Sequence, residues 1–134
     1  MSHTPLVSVM IPCFNAAATL PMALTSLLRQ TYPNWECVVV DDGSTDGSHA
    51  IAFASGDERI RCVRLPKNLG RGVARQIALD HTRGDLICMI DADDWILRNK
   101  IRRQVDIMNQ DPGVAVCSTG MYVVDADQRL VGCR

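Results

Sequence analysis

The stretch LVSVMIPCFNAAATLPMALTSLL (Leu6–Leu28) holds a strand, a loop and a helix in that order, and it decides how the rest of the chain is read. Leu6 to Phe14 is almost unbroken apolar sequence rich in β-branched side chains. A strand with one wet face alternates; a continuous run suits a strand buried on both faces, as in a parallel sheet. Pro12 has no N–H for a ladder, so the strand is expected to open into a loop there. Thr19 is placed to cap a helix with Pro21 in its first turn. Leu20, Ala23, Leu24, Leu27 and Leu28 recur at helical spacing, one stripe for packing on a sheet. Pro33 closes the unit.

The same cycle then repeats. WECVVVDD (Trp35–Asp42) reads as a second buried strand, and GSTDGS as a turn whose Ser44 and Asp46 cap a helix reaching about Ala54. RIRCVRL alternates as a third strand. PKNLGRG leads into a helix from Arg71 to Thr82, with Val73, Ala74, Ile77, Ala78 and His81 on its apolar face and Gly84 as its stop. LICMID is the fourth strand, and Leu97 to Asn109 a further helix. GVAVCSTGMYVVD and RLVGC read as later strands forming a paired extension. Strand and helix alternating four times imply right-handed crossovers and an α/β fold, a doubly wound, mostly parallel sheet flanked by helices.

Composition bounds the function classes. The 134 residues make one domain, 1–134, able to bury roughly two-thirds of its unfolded surface. Apolar residues are 47% and charged residues 22%, an ordinary globular balance. A net charge of −1 argues against general affinity for nucleic acid or anionic membrane. No apolar run reaches membrane-span length, and the start MSHTP is too polar for a signal peptide. The six cysteines form no C-x-x-C pair, and five lie in or beside strand-like runs. They read as small buried hydrophobes kept as thiols, rather than as zinc ligands or disulfides.

In a doubly wound sheet, ligands bind beyond the carboxyl ends of the strands. This chain places Asn15, Asp41 and Asp42, Asn68, and Asp91 to Asp94 after its four successive strands. Asp91 and Asp93 stand two positions apart with only Ala92 between. Carboxylates so close need a shifted pKa or a cation, and hard oxygens suit Mg²⁺ or Mn²⁺ with substrate phosphates completing the shell. The plain alternative is a solvated acidic loop or a helix cap. An EF-hand loop from Asp91 would need glycine where Ile96 stands, and an Asp-x-Asp phosphatase would want threonine where Trp95 stands. For Asp42, contact with a ligand such as a uracil ring N–H or a sugar hydroxyl is favoured over capping. Asn68, Gly70, Arg71 and Arg75 suit a diphosphate, since glycine lets backbone approach and arginine offsets its charge. No G-x-G-x-x-G follows the first strand, which argues against a dinucleotide cofactor.

Together, VSVMIPCFNA, LLRQTYPNWECVVVDDGSTD, NLGRGVARQIAL and GDLICMIDADD closely resemble the family 2 glycosyltransferases of GT-A fold, over about residues 6–110. That resemblance implies a nucleotide-diphosphate sugar as partner, UDP-sugar favoured, a Mn²⁺ or Mg²⁺ cofactor, and inversion at the anomeric carbon. It implies that Pro12 and Phe14 line the base pocket, that Asp42 binds the base, and that Asn68 and Arg75 lie near the nucleotide. Asp91 would face the ribose and Asp93 the metal, with Asp91 and Asp94 able to share it. The family's general base lies well downstream of Asp-x-Asp, so no catalytic base is assigned. The chain is expected to be the donor-binding half, inactive alone, with a glycan or lipid-linked acceptor and a cytoplasmic location, at the inner membrane face in a full-length protein. Two rivals stand beside this. A sugar nucleotidyltransferase would want a basic glycine-rich loop after the first strand, where PCFNAAATLP has no basic residue. A non-catalytic nucleotide- or sugar-binding module would bind without a metal.

Overall fold

The computed structural model describes residues 4–134; residues 1–3 of the polar start lie outside the described residues. Strands β1 (Val7–Cys13), β2 (Trp35–Asp41), β3 (Ile60–Arg64) and β4 (Leu86–Met89) form one sheet, ordered β3-β2-β1-β4. Every pairing in it is parallel. Helices α1 (Leu20–Leu28), α2 (Ser48–Phe53), α3 (Arg71–Asp80) and α4 (Lys100–Gln110) fill the connections. A short antiparallel hairpin, β5 (Tyr122–Val124) with β6 (Leu130–Cys133), follows.

The pleat divides the core in two. Val7, Val9, Ile11, Cys37 and Val39 face α1, α2 and α4, where they meet Leu20, Leu24, Leu27, Ala52, Ile101 and Val105. Met10, Val38 and Val40 face the other way, toward Ala74 and Ala78 of α3. The two central strands are buried at every position, as their unbroken apolar sequence requires.

Several local expectations shift. β1 does not open at Pro12 but runs through it to Cys13, with Pro12 opposite Val40. Met10 accepts the Ile90 N–H through its carbonyl, so Met10 and Pro12 turn their backbones toward β4. β4 ends at Met89, opposite Met10, so the N–H that proline lacks faces no strand. Leu28, at the edge of the α1 stripe, is exposed, as are Val73 and His81 on α3. α3 covers β1 and β2 but not β4, which leaves Ile87 and Met89 exposed on that face. Gly84 does not stop α3, which ends at Asp80 with His81 as its cap. A β-carbon on Gly84 would instead sit 2.6 Å from the Leu6 carbonyl and from Ser8 Oγ; the glycine lets the chain start β4 against β1. α4 begins at Lys100 rather than Leu97 because Gln30 Nε2 and the Thr31 N–H, at the end of α1, capture the carbonyls of Leu97 and Arg98. Of GVAVCSTGMYVVD, only Tyr122–Val124 is a strand; Val116 before it is exposed with no ladder partner. All six cysteines are free thiols; Cys13 and Cys37 are buried, whereas Cys133 is exposed. Burial pushes the Cys62 thiol up to about 11, so it carries no nucleophilic charge near neutrality. No helix among the described residues is long and apolar enough to cross a membrane.

The amino-terminal end of the sheet is pinned by one buried acid. Glu36 accepts from Ser8 Oγ (2.7 Å), the Arg83 N–H (2.7 Å), Arg83 Nη2 (2.7 Å) and Arg61 Nη2 (3.0 Å). Burial pushes its pKa up, but the Ser8 and Arg83 hydrogen bonds outweigh it and hold the carboxyl below the usual range. A depressed carboxylate pKa adds stability above the unfolded-state value, lost as pH falls through the folded one. Glu36→Gln is therefore expected to lower stability at neutral pH and to flatten the loss of stability on the acid side. Urea denaturation at pH 7 and pH 3 checks this; a mutant penalty as large at pH 3 as at pH 7 would contradict it.

Candidate functional site

The loops leaving β1, β2 and β3 are stitched together at the carboxyl edge of the sheet. Asn15 adopts a left-handed φ of 48°, which asparagine tolerates. Its N–H donates to Ser44 Oγ (2.9 Å), and its Oδ1 accepts the Thr45 N–H (2.9 Å). The next two N–H groups, of Ala16 and Ala17, donate to Ser48 Oγ and Asp46 Oδ2, each at 2.9 Å. Asp46 also accepts from the Ser48 N–H at the start of α2, but the N-cap itself is Gly47, one residue later than expected. Ser44 does not cap α2; its hydroxyl serves the β1–α1 loop, and its N–H binds Asp41 Oδ1.

Asp42 makes the next link. It is buried, and its two oxygens accept the N–H groups of Leu69 (2.7 Å) and Gly70 (2.9 Å), the residues just ahead of α3. Gly43, with φ of +73°, presses so closely on this loop that a β-carbon would lie 2.5 Å from the Lys67 carbonyl carbon. Asn68 Oδ1 shares the Gly70 N–H. The nearby Asp41 is fully buried; its Oδ2 has no hydrogen bond, and Arg64 Nε stands 3.6 Å away.

The fourth loop carries the acids. Strand alternation continues past β4: Ile90 and Ala92 turn into the core, so Asp91 and Asp93 turn outward. A turn closed by the Asp94 N–H on the Asp91 carbonyl (3.0 Å) brings the third carboxylate round. The ligand atoms of Asp91, Asp93 and Asp94 lie within 4.8 Å of one another, the one such group of His, Cys, Asp or Glu side chains among the described residues. Partial burial, then repulsion from Asp93 and Asp91, raises the Asp94 pKa. Arg75 Nη2 reaches Asp91 Oδ1 at 3.3 Å, across from α3.

The structure thus brings Asp42, Asn68, Arg75, Asp91 and Asp93 to one edge. Pro12 is buried within β1, and Phe14, just beyond it, is exposed. Two features escape sequence reasoning: the locking of Asp42 onto backbone 27 and 28 positions away, and the pairing of Arg75 with Asp91. Both join residues from different crossovers, and no local spacing announces them. A hydrogen bond to a charged group contributes about 1.5–3 kcal/mol, and Asp42→Ala leaves the Leu69 N–H without its partner and the Gly70 N–H with Asn68 Oδ1 alone. It is expected to cost about 1–3 kcal/mol and to speed hydrogen exchange most at Leu69; unchanged protection there would sink this role.

The sequence family model described as glycosyl transferase family 2 matches residues 8–130. The UDP-Glc:alpha-D-GlcNAc-diphosphoundecaprenol beta-1,3-glucosyltransferase WfgD of Escherichia coli is 36% identical over 103 residues, covering 77% of this chain and 41% of that protein. The succinoglycan biosynthesis protein ExoO of Rhizobium meliloti is 33% identical over 129 residues, covering 96% of this chain and 37% of that protein. The chain therefore spans less than half the length of these curated relatives. Among solved structures, the mannosyltransferase PcManGT of Pyrobaculum calidifontis, in complex with GDP-Man and Mn²⁺, superposes with a TM-score of 0.77 at 29% identity, covering 84% of this chain and 34% of that one. TarS 1-349 of S. aureus, in complex with UDP-GlcNAc, gives 0.73 at 25% identity, covering 88% and 40%. The parallel sheet with helices on both faces is that of the GT-A glycosyltransferases it superposes on, and the chain belongs to glycosyl transferase family 2.

Proposed function

We propose that this chain is the donor-binding part of an inverting glycosyltransferase that moves a sugar from a nucleotide-diphosphate sugar, UDP-sugar favoured, to an acceptor hydroxyl. The observation that carries the reading is the convergence of Asp91, Asp93 and Asp94 at the sheet edge that Asp42 and Arg75 also occupy. The solved relatives TarS and PcManGT carry UDP-GlcNAc and GDP-Man, which supports a donor of that class.

The three acids fit a hard divalent cation, Mn²⁺ or Mg²⁺. All their donors are carboxylate oxygens, and one guanidinium, that of Arg75, pairs with the group. Asp93 and Asp91 would hold the ion, with Asp94 sharing it. Bound there, it would neutralise charge growing on the departing nucleoside diphosphate. Asp42 fixes the loop leading into α3 and, with Pro12 and Phe14, borders the base. Asn68 shapes that same loop, and Arg75 moves between Asp91 and the diphosphate as charge arrives. The acceptor hydroxyl needs a general base to take its proton as it attacks. Asp106, Asp111, Asp125 and Asp127 have no site context, and we assign that role to none of them. The isolated chain is accordingly expected to bind donor but to turn over little or none of it. WfgD is named for an acceptor carried on diphosphoundecaprenol; a lipid-linked glycan, met at the cytoplasmic face of a membrane, is the acceptor class carried over here.

Calorimetric titration with UDP, with and without Mn²⁺, tests the reading. Binding is expected to tighten at least tenfold with Mn²⁺, and Asp93→Ala to abolish that gain. Equal binding with and without the ion would favour a non-catalytic nucleotide-binding module instead.

A further inference from the structure

A groove of about 1080 Å³ lies between the outer side of α1 and residues 95–98. Its path is fixed by hydrogen bonds between the two walls. The Ile96 N–H donates to Ser26 Oγ (3.1 Å), Gln30 Nε2 to the Leu97 carbonyl (2.8 Å), and the Thr31 N–H to the Arg98 carbonyl (3.1 Å). One end therefore holds Trp95, the residue directly after the acid cluster, together with Met22. The other holds Arg29 and Arg98, about 10 Å further along the helix.

The chemistry of this trough is uneven. Trp95, Met22 and Leu97 are 37%, 40% and 63% exposed, an apolar lining open to solvent. Among the described residues, neither Arg29 nor Arg98 has an ion-pair or side-chain hydrogen-bond partner. A single unpaired surface arginine is ordinarily just solvated, but two on facing walls at one end of an apolar trough form a site for a compact anion. Guanidinium forks match phosphate oxygens bidentately, and an indole face suits the apolar face of a sugar ring.

We propose that this groove holds a diphosphate-linked lipid acceptor, with its sugar at Trp95 beside the acid cluster and its diphosphate between Arg29 and Arg98. The apolar chain then leaves over Leu28, which is also exposed. The proposal rests on the glycosyltransferase reading, because that reading makes the acid cluster the place where the acceptor sugar must arrive.

N-acetylglucosamine linked through a diphosphate to farnesol, at submicellar concentration, is the probe, because it carries the sugar that the groove seats at Trp95. Trp35 is buried under Arg59, so quenching of tryptophan fluorescence reports Trp95, and Trp95→Phe should remove the signal. The groove predicts saturable quenching, at least tenfold weaker affinity in the Arg29→Gln/Arg98→Gln double variant, and substantial recovery in Arg29→Lys/Arg98→Lys. Farnesol and inorganic pyrophosphate should each bind at least tenfold more weakly than the joined molecule. Unchanged affinity in the double glutamine variant would overturn the proposal. So would equal quenching by vesicles of phosphatidylcholine and phosphatidylglycerol, which would mark a membrane-adsorbing surface. UDP and Mn²⁺ titration of the same double variant reads the donor edge separately: failure of UDP to bind wild type would count against the donor reading, while failure of the probe would count against the groove.

Discussion

The arrangement of the carboxyl edge depends on the Asp42 carboxylate. It sits at the end of the second central strand and accepts the two N–H groups that lead into α3. That makes it a remote cap for a helix whose own N-cap, Gly70, contributes no side chain. Because α3 starts where Asp42 puts it, Arg75 one turn in reaches the acid loop after β4. Gly43 permits this by letting one loop's backbone press on the other. Two crossovers that are separate in sequence thus become one surface.

The acids on that surface are opposed by little positive charge from the chain itself. Arg75 meets Asp91, while Asp94 is raised by partial burial and by its two acidic neighbours. At the other end of the sheet the same chemistry is resolved internally, since Glu36 is ringed by two arginines and a serine. The contrast separates a buried acid that the fold satisfies from an exposed group that it leaves open. In the function proposed above, a ligand cation carrying a diphosphate would supply what the first has and the second lacks.

Much of this was legible in the residues. Unbroken apolar sequence in β1 and β2 announces burial on both faces, and the alternation Ile90, Asp91, Ala92, Asp93 announces which acids face out together. What failed to show were features set by distant partners. The start of α4 is moved to Lys100 by Gln30 and Thr31, some seventy residues earlier. Gly84 looks like a helix stop, yet its constraint comes from Leu6 and Ser8 across the sheet. Val73 keeps helical spacing but stays exposed because α3 reaches only two strands, and His81 lies past the last helical residue as the cap. Periodicity reports what a segment offers; the neighbour's reach decides what is covered.

In the proposed function, the acid loop and the Asp42-locked loop together receive a metal-bound nucleoside diphosphate. Paramagnetic broadening of backbone amide resonances by Mn²⁺, recorded with and without UDP, tests it most directly. Broadening is expected to centre on residues 91–94 and, when UDP is added, to strengthen and spread to Arg75 and the Leu69–Gly70 amides. Broadening indifferent to UDP, or centred elsewhere on the chain, would contradict it.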